Sequence, residues 1–281
     1  KAFRRDFIMG LEPRIQQLAD GYAANLTVDS NKANFLTAFA RPLPLAVICE
    51  MLGIRDRDRN EFAQWAESLT TVNGMIGFLR AVRPIKKMRN YVAQEIERQR
   101  SAPGDGLIGQ LVQMQAKGEP ISDDEMVAMV FLLLIAGHET TTHVLTGGLF
   151  ELLRHEDQRL WLMEDETHIA LAVEEILRYV SAVQFTKPRN VRKDIVVEGV
   201  PLKKGDIVMA MIVAGNGDPD AIDHPHQFDL SRKPNRHVSF GAGPHFCLGH
   251  QLARLEIACA LRAVLNAHPD LKLAGSPNDV Q

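Results

Sequence analysis

Apolar residues recur every three or four positions along the first two-thirds of the chain, the spacing that places them on one face of an α-helix. Proline and glycine interrupt this pattern at Gly53, Pro84 and Pro103-Gly104. The pattern therefore predicts a succession of helices separated by short breaks. The predicted helices cover residues 13–25, 33–51 with an interruption at 42–44, 58–71, 85–99, 155–164 and 168–180.

The longest predicted helix begins at Ser122, which is followed three residues later by Glu125. This pair is typical of a capping box, in which the two side chains accept hydrogen bonds from each other's backbone N–H groups. The helix is expected to continue to about residue 153. Its longest apolar run, residues 126–136, is shorter than the ~20 residues that cross a bilayer, so we expect no membrane association.

The pattern changes near residue 181. Short apolar runs at 195–197 and 207–209, separated by Gly199 and Gly205, predict a small β-sheet. Residues 215–244 are rich in proline, aspartate, asparagine and histidine, and an irregular segment of this length is plausible where it wraps a site. No internal repeat or linker divides the chain. We therefore expect a single, mainly α domain with a small β-sheet region.

Composition narrows the class of protein. The 281 residues are 46% hydrophobic and 24% charged, as in an ordinary globular protein. A formal charge of -3 with mixed signs gives no general attraction to nucleic acid, so we expect no nucleic-acid partner. The three cysteines, Cys49, Cys247 and Cys259, are widely spaced and odd in number. This argues against a disulfide framework and favours a reducing, cytoplasmic location.

Cys247 carries the candidate chemistry. It lies in the run Phe-Gly-Ala-Gly-Pro-His-Phe-Cys-Leu-Gly at residues 240–249, just before a helical pattern at 252–257. Two glycines let a backbone approach a flat cofactor closely. A thiolate near a helix N-terminus is stabilised by amide N–H groups and by the helix dipole. The run therefore predicts a cysteine that serves as an axial ligand.

Residues 235–256 closely resemble the haem-ligand loop of the cytochrome P-450 family, in its soluble bacterial branch. The resemblance implies a mainly α, P-450-type fold that binds haem b, with the Cys247 thiolate as the metal ligand. Phe240 and Gly241 would contact the cofactor. The chain starts without methionine, and against the family pattern we expect residues 1–281 to be one haem-thiolate domain that lacks an N-terminal part and a C-terminal hairpin.

A second candidate site interrupts the apolar pattern of the long helix at residues 136–141. Taken alone, it fits a buried helix whose threonine hydroxyls bond back to carbonyls and whose glycine permits close packing. The resemblance implies instead that this stretch crosses the distal face of the haem. Ala136 and Gly137 would leave room for dioxygen. Thr140 and Glu139 would relay the protons that O–O cleavage needs in a pocket that excludes water.

The spacing of the histidines argues against two zinc sites that the sequence suggests. His138, Glu139 and His143 resemble a zinc protease helix, but the histidines are five residues apart and lie on different faces. The histidines near Cys247, together with Cys259, lack the paired spacings of structural zinc sites.

Glu175 and Arg178 are three residues apart, a spacing that by itself indicates a surface ion pair. The resemblance implies a buried pair that bonds a side chain of the irregular segment, Arg232 or His237, and so locks the cysteine loop. Departures from the family pattern lie close by: Gly217 stands where arginine is usual, and Ser181-Ala182 replaces a commoner proline pair.

Further contacts follow from the resemblance alone. Arg189 and His245 would bind the haem propionates, because a cation or N–H donor beside a carboxylate forms a strong hydrogen bond. Val183 and Phe185 would face the substrate.

The activity implied is that of a haem-thiolate monooxygenase. It would insert one atom of dioxygen into a small or medium apolar substrate, as a monomer that takes electrons from a separate ferredoxin or flavodoxin-like donor. Two alternatives are a haem-binding protein without activity, because the pocket is incomplete, and a member that uses peroxide. Glu139 and Thr140 argue against both, since neither needs a proton relay.

Overall fold

The structure is a computed structural model that describes residues 5–26, 32–70 and 74–275. Within these ranges the chain forms eleven α-helices and four short β-strands. The helices are α1 Arg5–Gly10, α2 Glu12–Ala24, α3 Pro42–Leu52, α4 Arg59–Thr70, α5 Gly74–Ser101, α6 Leu107–Ala116, α7 Asp123–Arg154, α8 Glu156–Glu164, α9 Ile169–Val180, α10 Ile212–Asn216 and α11 His250–Ala267. The strands are β1 Arg189–Asn190, β2 Ile195–Val197, β3 Val200–Leu202 and β4 Ile207–Val208. The predicted mainly α fold is confirmed.

The start of α7 confirms the predicted capping box. The Ser122 backbone N–H donates to Glu125 Oε2 over 2.8 Å, and the Glu125 N–H donates to Ser122 Oγ over 3.3 Å. The hydrogen bonds that the Ser122 backbone N–H and hydroxyl donate to Glu125 Oε2 lower the pKa of the Glu125 carboxyl. The pair satisfies backbone donors that the first turn of a helix leaves without partners.

Two breaks differ from the prediction. α5 begins at Gly74 and continues through Pro84, where the sequence predicted an interruption. Proline removes one backbone donor, but Met88, Val92 and Ile96 bury one face of this helix, and that packing outweighs the lost hydrogen bond. The predicted helix 33–51 is instead a π-helical turn, Leu36–Ala40, followed by α3, which starts with a proline in its first turn. The predicted end at residue 71 lies outside the described residues.

α6 and α10 were not predicted. α6 has only ten residues, and its buried positions Leu107, Ile108, Leu111 and Val112 give about one repeat of the helical pattern. α10 has five residues, too few for a helical pattern, and its last two belong to the segment that was read as irregular.

The chain divides into two compact units, residues 1–146 with 249–281, and residues 147–248. In the first unit, α3 to α7 enclose an apolar core that includes Ile48, Phe62, Met88 and Leu134. α11 lies on α2 in the same unit, where the His268 ring donates to the Ala23 carbonyl over 2.9 Å. The prediction of one domain for the whole chain stays a prediction.

The second unit holds α8, α9 and the four strands. β2 and β3 form an antiparallel hairpin whose turn, Glu198-Gly199, has positive φ at both residues, as a type I′ turn requires. β1 pairs antiparallel with β4, with Arg189 opposite Val208. The predicted runs at 195–197 and 207–209 are therefore extended, but they belong to two separate sheets. The predicted small β-sheet region is confirmed, as two two-stranded sheets instead of one.

The last turns of α7 pack closely on α9 within the second unit. A Cβ atom added at Gly148 would lie 2.6 Å from Ile176 Cγ2, closer than side chains tolerate. Glycine is therefore required here so that the two helices can approach each other.

α7 is also long and apolar enough, by length and composition alone, to cross a membrane. Within its most apolar stretch, 39% is buried inside the protein, and the core helix of a soluble protein meets the same criterion. The finding is weak support for a membrane span.

α11 carries one unusual buried acid. Glu256 is 2% exposed, and its Oε2 atom has no hydrogen-bond partner among the described residues. Burial raises the pKa of the Glu256 carboxyl well above its usual range. Above the ordinary glutamate pKa of about 4.3, the folded protein therefore keeps the Glu256 carboxyl protonated, whereas the unfolded chain releases that proton.

This difference predicts a pH-dependent effect of Glu256→Gln. A raised folded pKa means that stability falls as pH rises above the unfolded value, because the folded state binds more protons. The variant removes the ionisation, so it should unfold at higher urea concentration than wild type at pH 7. The gain should shrink as pH approaches about 4, where both states are protonated. Urea titrations at several pH values test this, and a gain independent of pH would contradict it.

Candidate functional site

The Cys247 loop, residues 238–248, is closed by three backbone hydrogen bonds. The Cys247 N–H donates to the Phe240 carbonyl over 2.9 Å, the Gly241 N–H to Val238 over 2.8 Å, and the Phe246 N–H to Gly243 over 3.0 Å. These bonds fix the backbone on both sides of the sulfur. The loop therefore presents Cys247 from a defined position.

Two glycines give this loop its shape. Gly241 and Gly243 have φ angles of +71° and +70°, in the left-handed region that favours glycine. A Cβ atom at either would meet nothing within 4 Å, so open space lies beside both residues. The Phe246 and Leu248 side chains are also exposed, at 46% and 63%. An open, partly apolar surface beside a single soft sulfur donor fits a flat, apolar cofactor such as haem.

The other two cysteines do not share this setting. Cys49 and Cys259 are buried, and burial raises the pKa of each thiol to about 12. Both therefore stay protonated at neutral pH, and a thiol ligand must be deprotonated. Cys247 is partly exposed. Within the described ranges, no three His, Cys, Asp or Glu side chains form a group that could hold a metal ion.

Glu175 and Arg178 on α9 form a fully buried ion pair, 0% and 2% exposed. Arg178 Nε and Nη2 donate to the two Glu175 carboxylate oxygens over 2.8 and 2.7 Å. Arg178 Nη1 also donates to the backbone carbonyls of Asn216 and Pro225, and Nη2 to that of Gln227. The arginine thus organises three points of the irregular segment. The pair is buried, and not the surface pair that its spacing alone indicates.

Groups of the irregular segment also donate hydrogen bonds to the Glu175 carboxylate. Arg232 Nε donates to Glu175 Oε2 over 3.1 Å, and Asn235 Nδ2 donates to the same oxygen over 2.9 Å. The Asp229 N–H donates to Glu175 Oε1 over 3.0 Å. Of the two predicted partners, Arg232 therefore contacts Glu175.

His237 contacts the neighbouring acid. Its Nε2 donates to Glu174 Oε2 over 3.0 Å, and its Nδ1 accepts from the Ser239 N–H over 3.2 Å. This arrangement requires the proton on Nε2. We name residues Glu175, Arg178, Arg232 and Asn235 the α9 lock; His237 lies beside it.

The remaining predicted contacts of the second unit lie at its surface. Arg189 is exposed in β1, and His245 is exposed at the end of the 3-10 turn Gly243–His245. Val183 and Phe185 are 39% and 44% exposed, and Phe185 forms an isolated bridge with Met211. Their roles toward haem and substrate stay predictions.

α7 in the first unit shows the hydrogen bonds of an ordinary buried helix. The hydroxyls of Thr140, Thr141 and Thr142 each donate over 2.9 Å to the carbonyl four residues earlier. His138 is buried, with Nε2 donating to the Arg41 carbonyl over 3.1 Å. A Cβ atom at Gly137 would lie 3.1 Å from Ile48 Cδ1, so this glycine has a packing reason to be small.

One face of α7 is nevertheless exposed. Leu132 and Ile135, 64% and 52% exposed, continue along the helix to Ala136, Glu139 and His143, also exposed. These residues follow the spacing of one helical face, which we name the α7 exposed face. Thr140, partly exposed, borders this face, whereas Gly137 faces Ile48.

Sequence reasoning missed several residues of the second unit. Asn235 and Asn216 are buried or half-buried amides in the irregular segment, and Ser181 and Ser239 bond Asn216. Asparagines and serines are common in loops, so nothing in their spacing separates these from solvated ones.

The α9 lock yields a stability prediction. Glu175→Gln leaves Arg178 and Arg232 buried without their charged partner, which should lower the free energy of unfolding by about 3–5 kcal/mol. Glu151 and Arg154 on α7 offer a control, because this 3.2 Å pair has the same residue types and spacing but is partly exposed. Glu151→Gln should cost less than about 1 kcal/mol. If urea unfolding gives the two variants equal losses in the free energy of unfolding, burial of the α9 pair does not make it more important for stability, and the prediction is wrong.

Comparison with known proteins agrees with this geometry. A family model described as Cytochrome P-450 matches residues 77–268. The chain is 37% identical over its whole length to the polyketide biosynthesis cytochrome P-450 PksS of Bacillus subtilis, and spans 69% of that protein. It is 39% identical, over 94% of its length, to the vitamin D(3) 25-hydroxylase of Pseudonocardia autotrophica, and spans 65% of it. The chain thus spans about two-thirds of these relatives.

Solved structures support the same conclusion. The structure of Bacillus subtilis PksS matches with a TM-score of 0.92 at 37% identity, covering 100% of this chain and 72% of that one. The structure of the P-450 monooxygenase TamI matches with a TM-score of 0.91 at 34% identity. Relatives of this kind are oxidoreductases that bind haem b. The chain therefore belongs to the cytochrome P-450 family.

Proposed function

We propose that the chain acts as a haem-thiolate monooxygenase, with Cys247 as the axial ligand. The observation that carries this proposal is the closed Cys247 loop, which shares its unit with the α9 lock. When bound, haem b supplies the activation of dioxygen and the transfer of one oxygen atom to the substrate. The chain's own residues bind and orient the cofactor, exclude water and deliver protons.

Cofactor binding is assigned to the second unit. The Phe240 carbonyl holds the Cys247 amide, and Gly241 leaves the space in which a planar group can lie. Arg189 and His245 are exposed donors suited to two carboxylates. Their positive or N–H-bearing groups would bind the propionates and fix the orientation of the ring.

Proton delivery is assigned to Thr140 and Glu139 on α7. The Thr140 hydroxyl donates its hydrogen to the Ala136 carbonyl, so its oxygen remains able to accept a hydrogen bond. Glu139 belongs to the α7 exposed face, so its side chain is in contact with water. Ala136 and Gly137 keep this part of the helix free of bulky side chains. The small residues would admit dioxygen, and the hydroxyl and carboxyl would move protons.

The substrate is proposed to be a small or medium apolar molecule. Leu132 and Ile135 supply apolar surface on the same face of α7 as Glu139. Relatives named for their substrates include the vitamin D(3) 25-hydroxylase and a steroid C26-monooxygenase, whose substrates are apolar. We propose a separate ferredoxin or flavodoxin-like protein as the electron donor and a monomer as the active form. The proposed cytoplasmic location is in line with the bacterial sources of the relatives.

The ligand assignment predicts a spectral change in Cys247→Ser. The haem-loaded wild-type protein, reduced and treated with carbon monoxide, should show the red-shifted Soret band of a thiolate-ligated haem. Cys247→Ser should lose that band, because serine supplies no thiolate. Cys259→Ala should retain it, since the Cys259 thiol is buried and protonated. A band that survives in Cys247→Ser, or is missing from wild type, would overturn the assignment.

The relay assignment predicts uncoupling in Thr140→Ala. Electron and dioxygen consumption should continue while product per electron falls several-fold, because the proton-accepting hydroxyl is gone. Thr141→Ala is the matched control: its hydroxyl makes the same backbone hydrogen bond, but the side chain is buried away from the exposed face. Coupling equal in both variants would refute the relay. An intact thiolate band with no turnover in wild type would favour a binding protein without activity.

A further inference from the structure

We propose that Asn216 is a positioning residue for the Cys247 loop, through which the α9 lock sets the place of the haem ligand. The inference rests on the proposed ligand role of Cys247. It concerns a residue outside the α9 lock, at the last position of α10. Asn216 touches neither sulfur nor substrate in this assignment, so its effect is exerted through its neighbours.

The Asn216 side chain is 2% exposed and makes three hydrogen bonds. Oδ1 accepts from the Val238 N–H over 2.7 Å, and Nδ2 donates to Ser239 Oγ over 2.9 Å and to Ser181 Oγ over 2.6 Å. The amide orientation follows from these partners. The Val238 N–H can only donate, and the Ser239 hydroxyl already donates to the Leu177 carbonyl over 2.7 Å. An amide nitrogen must therefore face Ser239.

Asn216 also joins the loop to the end of α9. Its backbone carbonyl accepts from Arg178 Nη1 over 2.9 Å, which connects it to the α9 lock. Ser181, the C-cap of α9, has φ +45°, a left-handed conformation that is uncommon for residues other than glycine, and is 1% exposed. The hydrogen bond from Nδ2 holds the Ser181 hydroxyl in this buried turn. One side chain thus ties together the lock, the end of α9 and the loop.

The path from Asn216 to the sulfur is short. Oδ1 fixes the Val238 amide, and Nδ2 fixes the Ser239 side chain. The next residue, Phe240, provides the carbonyl that accepts the Cys247 N–H, and the Val238 carbonyl accepts the Gly241 N–H. The Gly215 backbone also lies close to the Val238 side chain, since a Cβ atom added at Gly215 would lie 3.1 Å from Val238 Cγ2. Asn216 therefore determines where the loop begins and where the Phe240 carbonyl lies.

Four substitutions separate the loop side of Asn216 from its helix side. Asn216→Ala removes all three side-chain contacts. Asn216→Asp keeps an oxygen that accepts from the Val238 N–H, but it places a second oxygen opposite the Ser239 hydroxyl. That hydroxyl donates its hydrogen to the Leu177 carbonyl, so it has none left for the new oxygen, and the hydrogen bond to Ser239 is lost. Ser239→Ala removes the loop contact of Nδ2 together with the Ser239 hydrogen bond to the Leu177 carbonyl, and Ser181→Ala removes the helix contact of Nδ2. The two serine variants are a matched pair, because each deletes one hydroxyl bound to the same nitrogen.

The first readout is amide hydrogen exchange at Gly241 and Cys247 in the protein as purified. Asn216→Ala, Asn216→Asp and Ser239→Ala should each speed exchange at both amides several-fold, while Ser181→Ala leaves them near wild-type rates. This measurement does not depend on haem. Unchanged exchange at both amides in all of the loop-side variants would overturn the inference, whatever the fate of the ligand assignment.

The second readout is the pH at which the carbon monoxide complex changes from thiolate to protonated thiol. At equal haem content, the three loop-side variants should make this change at higher pH than wild type, because a loosened loop holds the thiolate less firmly. Ser181→Ala should lose thermal stability without this shift. If all four variants lose stability alike and keep the wild-type transition, Asn216 serves folding only and the inference fails. If wild type lacks the thiolate band, the proposed function fails instead.

Discussion

The buried charge of Arg178 is the constraint on which the second unit depends. A guanidinium and a carboxylate removed from water must find hydrogen-bond partners for every donor and acceptor, or their burial would cost several kcal/mol each. Glu175 supplies two of these partners, and the irregular segment supplies the rest from the carbonyls of residues 216, 225 and 227. The mostly irregular backbone of this segment turns carbonyls toward the guanidinium, so its course is set by the hydrogen bonds that this pair needs.

The same constraint reaches the candidate ligand. Arg232 and Asn235, later in the segment, hydrogen-bond Glu175. Asn216 hydrogen-bonds Val238 and Ser239 at the start of the Cys247 loop. A loop fixed at its start needs only short backbone bonds to hold Cys247. This explains how a glycine-bearing loop with open space beside it can still present a sulfur at a defined place. Under the proposed function, the bound haem gives that sulfur its chemistry, and the α9 lock gives it its position.

The sequence alone predicted those features in which one local pattern decides the structure. The capping box at Ser122 marked the start of α7, and the two glycines of the cysteine run marked the closed turn around Cys247, whose ligand role stays a prediction. It failed where packing decides: α5 continues through Pro84 because apolar residues on one face hold it. The small β-sheet region was predicted, but its division into two sheets could not be foreseen, since strands of two or three residues carry too little pattern to set their partners. Asn216 gave no signal, because burial of a loop amide depends on distant residues.

The most direct test of the central claim is iron-edge X-ray absorption on the haem-loaded protein, wild type beside Arg232→Ala at matched haem content. Arg232 precedes the Cys247 loop in the sequence, and its Nε donates a hydrogen bond to Glu175 Oε2. Wild type should show one sulfur neighbour of the iron. Arg232→Ala should show that neighbour in a clearly smaller fraction of molecules, because the loop has lost part of its lock. A full sulfur contribution in a folded Arg232→Ala protein would contradict the account.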